Sequence, residues 1–142
     1  MKKILAIDFG RKKIGLAIAD LETKIPLPRE GFFCKNEKEF LEIIKKIVET
    51  ENIGLIVLGL PLSLDFKETD LVLEIKKLGE FLEKKLGIPV DYENEIFSSE
   101  EAESYYRFFQ RKIRGKIKKR KNLDSLAAAI ILESYLKKKF KS

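Results

Sequence analysis

The sequence predicts an α/β fold on a mixed five-stranded sheet, and three observations lead there. Three short strands come first, with turns and prolines but no helix between them. Two further apolar strands then alternate with hydrophobic stripes at helical spacing. Asp8 ends the first strand, Gly59-Leu60-Pro61 follows the fourth and Glu95 follows the fifth, all where a parallel sheet opens its ligand-binding crevice.

The elements follow in order. Ile4 to Phe9 reads as an apolar strand. Gly10-Arg11-Lys12-Lys13 makes a tight turn, and Ile14 to Asp20 returns beside it. Pro26 and Pro28 break the chain before a third short strand, expected near Gly31 to Cys34. Asn36 can cap a helix whose stripe is Phe40, Ile43, Ile44, Ile47 and Val48. Leu55 to Leu58 is an unbroken apolar run, as a strand covered on both faces requires. Leu71, Ile75, Leu78, Leu82 and Leu86 mark a second helix, and Ile88 to Glu93 a fifth strand. Ser98-x-x-Glu101 is a capping box that opens a third helix. Leu126, Ala127, Ile130 and Ile131 mark a last one, with Lys137 to Lys139 suited to the negative end of its dipole. The predicted order is β-β-β-α-β-α-β-α-α: an antiparallel meander, then parallel neighbours joined by helical crossovers.

Composition narrows the chemistry. At 142 residues and 44% hydrophobic, the chain suits a single domain, 1–142, with one core. No apolar run approaches the roughly 18–20 residues that span a bilayer. The short apolar stretch after Met1-Lys2-Lys3 runs into Asp8 without a cleavage site, so a cytoplasmic protein is expected. With no His there is no imidazole base and no His-ligated zinc. Cys34 stands alone, which excludes intrachain disulfides and paired redox chemistry. Carboxylates acting with a metal are the leading catalytic option.

Charge points to the partner. Between Ser104 and Leu123 there is no acid, while Arg107, Arg111, Lys112, Arg114, Lys116, Lys118, Lys119, Arg120 and Lys121 all fall there. These nine exceed the whole net charge of +6. So concentrated a basic block is the footprint of a polyanion, and nucleic acid outweighs a merely solvated loop. Tyr105, Tyr106 and Phe109 lie close by, but their helical spacing with Ala102 and Ile113 favours core packing over base stacking.

Asp8 is the sharpest single signal, because a carboxylate that ends an apolar strand must be paired or metal-bound. Lys12 or Arg11 could pair with it, and Gly10 would let a ligand approach the backbone. Asp-x-Gly after a first strand also occurs in actin-like ATPases and sugar kinases. Here Arg11 stands where those have Ser or Thr, and 142 residues leave no second domain to close over nucleotide. Asp91, Glu93 and Glu95 crowd one short stretch. Asp124 sits where an acid simply favours a helix dipole. Two divalent ions held by such acids could activate water and stabilise a leaving oxygen.

Four segments together resemble the YqgF (RuvX) family over essentially the whole chain. They are Ile7-Asp8-Phe9-Gly10 with Ile14-Gly15-Leu16-Ala17, then Gly59-Leu60-Pro61-Leu62, then Asn94 to Ala102, then Leu123-Asp124-Ser125-Leu126 through Leu132. The chain departs from the family pattern at Asn94, usually Asp, at Ile96, usually Arg, and at Phe66-Lys67, usually a Gly-containing loop. The resemblance implies an RNase H-like sheet, antiparallel over its first three strands and parallel from the first to the fourth and fifth. It also implies an acidic site of Asp8, Glu95 and Asp124 holding Mg²⁺ or Mn²⁺, with Glu93 the substitute if the local register differs. Arg11, Lys12, Arg111, Lys112, Arg114, Lys116, Lys118, Lys119, Arg120 and Lys121 are expected to face nucleic acid. The implied activity is phosphodiester cleavage, with RNA favoured: trimming of the 5′ end of precursor 16S ribosomal RNA. A Holliday-junction resolvase acting on DNA and a non-catalytic binding module of the same fold are the alternatives, and no dimer surface is legible.

Overall fold

The leading strands pair as a meander. β1 (Lys3–Phe9) runs antiparallel to β2 (Ile14–Asp20), with Asp8 opposite Gly15 and Ile7 opposite Leu16. β3 (Leu27–Phe32) lies antiparallel on the outer side of β2. In this computed structural model the described residues are 2–9, 14–61, 70–95 and 123–140; for Pro61, Leu71, Glu95, Leu123 and Asp124 the description extends to the backbone alone. The third strand begins earlier than the prolines suggested, and Pro28 lies within it opposite Ala17. An edge strand tolerates proline because an N–H facing away from the sheet has no ladder partner to lose. Gly31 is required, since a Cβ there would strike the Ile14 carbonyl oxygen.

β4 (Ile53–Pro61) adds parallel to β1, and β5 (Val90–Glu95) adds parallel to β4. The five strands lie in the order β3-β2-β1-β4-β5, the RNase H-like arrangement the sequence predicted. Both late strands run further than their apolar runs. Gly59-Leu60-Pro61 and Glu95 are the last residues of strands, not the loops after them.

Two helices cover one face. α1 (Glu37–Glu51) is capped by Asn36, whose Oδ1 accepts the Glu39 N–H at 2.9 Å, and it ends at Asn52 in the left-handed region. Phe40 and Ile44 of its stripe are fully buried, and Ile47 and Val48 pack around them. α2 (Asp70–Leu86) buries Val72, Ile75 and Leu82. Beneath them lie Leu5, Ile7, Ile18, Ile56, Leu58 and Leu60. Each such side chain contributes about 1.5–3 kcal/mol on burial.

α3 (Leu123–Lys139) covers the other face alone among the described helices, chiefly over β1 and β2. Its buried side is Leu126, Ala128, Ala129, Ile131, Leu132, Tyr135 and Leu136, whereas the predicted Ala127 and Ile130 are half-buried at its margin. A run such as Leu-Ala-Ala-Ala-Ile-Ile-Leu has too little polarity for periodicity to choose a face. On the sheet side it meets Ala6, Ala17, Ala19 and Val57. The helix predicted from Ser98 lies outside the described residues.

Candidate active site

Alternation along β1 decides where Asp8 points. Leu5 and Ile7 face α1 and α2, so Ile4, Ala6 and Asp8 face α3. Asp8 is 7% exposed, the last residue but one of its strand. The register places glycine on either side of it. Gly15 is its partner on β2; on β4, Ile7 pairs with Leu58, so the next step sets Asp8 beside Gly59. Gly59 in turn pairs with Glu93 of β5. The row Gly15, Asp8, Gly59, Glu93 thus crosses four strands on the α3 face. The residues directly across from Asp8 on both adjacent strands are therefore glycines.

The backbones of the other two candidate acids lie at the same end of the sheet. Glu95 ends β5, opposite Pro61, and shares the strand parity of Asp91 and Glu93. Asp124 lies in the first turn of α3. That turn is fixed by its next residue: Ser125 is fully buried, and its Oγ accepts the Leu16 N–H at 3.1 Å. Leu16 is the Cα partner of Ile7, beside Asp8, and it lies where the β2–β3 register shifts. The start of α3 is therefore anchored next to the end of β1. The sequence reading missed Ser125, although a serine just inside a predicted apolar helix was a usable signal.

The remaining acids of β5 serve a different purpose. Glu93 is 5% exposed; its Oε2 accepts the Ser134 hydroxyl at 2.5 Å and meets Lys138 Nζ at 2.9 Å. Asp91 accepts the Tyr135 hydroxyl at 2.8 Å and lies 3.7 Å from Lys139 Nζ. Burial alone would raise the Asp91 pKa. The bonds from Tyr135 and the Tyr92 N–H, with the charge of Lys139, outweigh it and hold the carboxyl below the usual range. Tyr135 is pushed up in return, by burial and by donating to Asp91. These partners occupy Glu93 as a structural group, against its use as the substitute acid.

Cys34 belongs elsewhere. It lines a cavity of about 490 Å³ with Phe9, Ile14 and Phe40, on the α1–α2 face. Burial, helped by Glu39, raises its pKa, which disfavours the nucleophilic thiolate. Arg11, Lys12 and the basic block from Arg111 to Lys121 lie outside the described residues. No group of three or more His, Cys, Asp or Glu that could hold a metal occurs among the described residues, a set without the side chains of Glu95 and Asp124. The donors offered at this end of the sheet are carboxylate oxygens, the hard ligands that suit divalent cations. Among the described residues no helix is long and apolar enough to cross a membrane.

Comparison with known proteins bears on the fold and the family. Residues 2–138 match the family described as "RuvX: Holliday junction resolvase". A protein of Maridesulfovibrio salexigens named "Putative pre-16S rRNA nuclease" is 36% identical over 94% of this chain and 97% of its own length. One of Orientia tsutsugamushi with the same name is 37% identical over 96% and 85%. Among solved structures, RuvC of T. thermophilus in complex with a Holliday junction superposes with a TM-score of 0.61 at 12% identity, covering 96% of each chain. The Fowlpox virus resolvase, also bound to junction DNA, gives 0.61 at 17% identity, covering 98% of this chain and 99% of that one. Identity so low speaks for the fold alone. The family match and the full-length relatives decide the rest: this chain is a member of the RuvX (YqgF) family.

Proposed function

We propose that the protein is a single-domain, metal-dependent endonuclease that processes the 5′ end of precursor 16S ribosomal RNA in the cytoplasm, with Asp8, Glu95 and Asp124 as its metal-holding acids. The observation that carries this reading is Asp8 itself: a buried carboxylate at the end of a parallel strand, flanked by Gly15 and Gly59, with the start of α3 anchored beside it. RNA is favoured over junction DNA by the full-length relatives, which are named for ribosomal RNA processing.

Each residue then has a task. Asp8 sits on a rigid central strand, so its carboxylate is held without a search through rotamers. Glu95 supplies the facing acid from β5, and Asp124 the third from α3. Mg²⁺ or Mn²⁺ bound there would lower the pKa of a water and neutralise charge building on the phosphate. The chain holds no imidazole, so no side-chain base of that kind competes for the proton. Arg11, Lys12 and the basic residues from Arg111 to Lys121 would hold the phosphate backbone, without which a small acidic site would repel its substrate.

Asp8→Asn tests this directly. Cleavage of precursor rRNA in Mg²⁺ or Mn²⁺ should fall by more than about 100-fold, since even outer-shell partners of metal sites are worth about 10–100-fold. RNA binding in a gel-shift titration and the unfolding temperature should stay close to wild type. Cleavage at the wild-type rate by Asp8→Asn would remove Asp8 from the site.

A further inference from the structure

β5 carries an acid at every second residue, Asp91, Glu93 and Glu95, and the first two are gripped by the same helix in the same way. Ser134 and Lys138, one helical turn apart, hold Glu93; Tyr135 and Lys139, also one turn apart, hold Asp91. The two i, i+4 pairs are offset by one residue on α3 and by two on β5. Sliding or rotating the helix would break both at once. The far end of α3 is fixed independently by the Ser125–Leu16 bond. Between the anchors the contact mixes Ala6, Ala17, Ala19, Ala128 and Ala129 with Ile4, Val57, Leu126, Ile131 and Leu132. Apolar burial holds the two surfaces together but is non-directional, so the paired polar contacts are what define an axial position.

We propose that Glu93 and Asp91 are positioning residues, a register lock that sets α3, and with it Asp124, against β5 and its terminal Glu95. This rests on the reading of Asp8, Glu95 and Asp124 as one metal site. Glu93 on this view holds no metal itself. Its buried carboxylate needs partners wherever it lies, and here both partners come from the helix that carries Asp124. Loss of the lock lets α3 shift, and the two acids no longer present the spacing that the cation requires.

Calorimetric titration of the full chain with Mn²⁺ alone separates the possibilities, with amide hydrogen exchange of α3 measured beside it. The double variant Ser134→Ala, Lys138→Ala leaves every acid in place and removes the grip on Glu93. It should weaken Mn²⁺ binding by about 10–100-fold, the range for groups that orient metal ligands, and speed exchange along α3, while the far-UV spectrum stays that of the folded protein. Glu93→Gln keeps an acceptor for Ser134 and should retain most of the affinity. Wild-type affinity in the double variant, or loss of binding in Glu93→Gln alone, overturns the lock; the second result would make Glu93 a ligand. The functional reading fails separately. If Asp8→Asn still cleaves and still binds Mn²⁺, the site lies elsewhere, and the exchange of α3 alone then decides whether the lock exists. Unchanged exchange in the double variant refutes it.

Discussion

The two faces of the sheet are built from different stock. Towards α1 and α2 the strands present Leu5, Ile7, Ile18, Ile56, Leu58 and Leu60, and the helices answer with Phe40, Ile44, Ile75 and Leu82. Towards α3 they present Ile4, Ala6, Ala17, Ala19 and Val57, and the helix answers with Leu126, Ala128, Ala129, Ile131 and Leu132. On the first face large side chains come from strands and helices alike; on the second the strands contribute mostly small ones. Small strand residues let the α3 backbone lie close to the sheet, so that a side chain as short as Ser125 reaches a strand amide. The proposed chemistry lies on the face where the strands are small.

Substitutions can break or sharpen that contrast. The largest effect is expected from Leu58→Ala, which empties a fully buried position on the α1–α2 face. It should lower unfolding free energy by about 2–5 kcal/mol in urea titrations, with Mn²⁺ affinity unchanged. Ala128→Leu, on the α3 face, should cost less stability, about 1–3 kcal/mol from overpacking, and should weaken Mn²⁺ binding by displacing α3. If Leu58→Ala weakens the metal and Ala128→Leu does not, the assignment of the chemistry to the α3 face is wrong.

The smallest effect concerns Asp91. Its folded pKa lies below the usual carboxylate range, so its pairing stabilises the protein above the ordinary Asp value near 4 and is lost as pH falls through the folded value. Tyr135→Phe removes the hydrogen bond that opposes burial. In an NMR titration the Asp91 midpoint should move up towards the ordinary value, and the acid side of the stability profile should shift with it. A midpoint unmoved by Tyr135→Phe would show that the hydroxyl does not hold the carboxylate.

Much of this was legible in the residues. The apolar run ending in Asp8, the Asn36 cap and the Phe40–Ile44 stripe all follow simple periodicity, and each is where periodicity placed it. β3 was displaced because proline was read as a break, whereas an edge strand absorbs it. The buried side of α3 could not be chosen within a run of alanines and isoleucines, where nearly every position is apolar. Glu93 resisted for another reason. Three alternating acids look equivalent on paper, and the partners that separate them, Ser134, Tyr135 and Lys138, lie about forty residues away.

The Ser125–Leu16 bond joins residues 109 positions apart. Closing so long a loop is among the slower contacts a chain of this size can make. It also means that the end of β1 and the start of α3 meet only once residues near 125 have docked on the sheet. If Asp8 and Asp124 share one site, as proposed, a chain cut short before residue 123 would carry the first acid and lack the third. On that reading the site does not assemble piecemeal: it waits on a contact between distant parts of the chain.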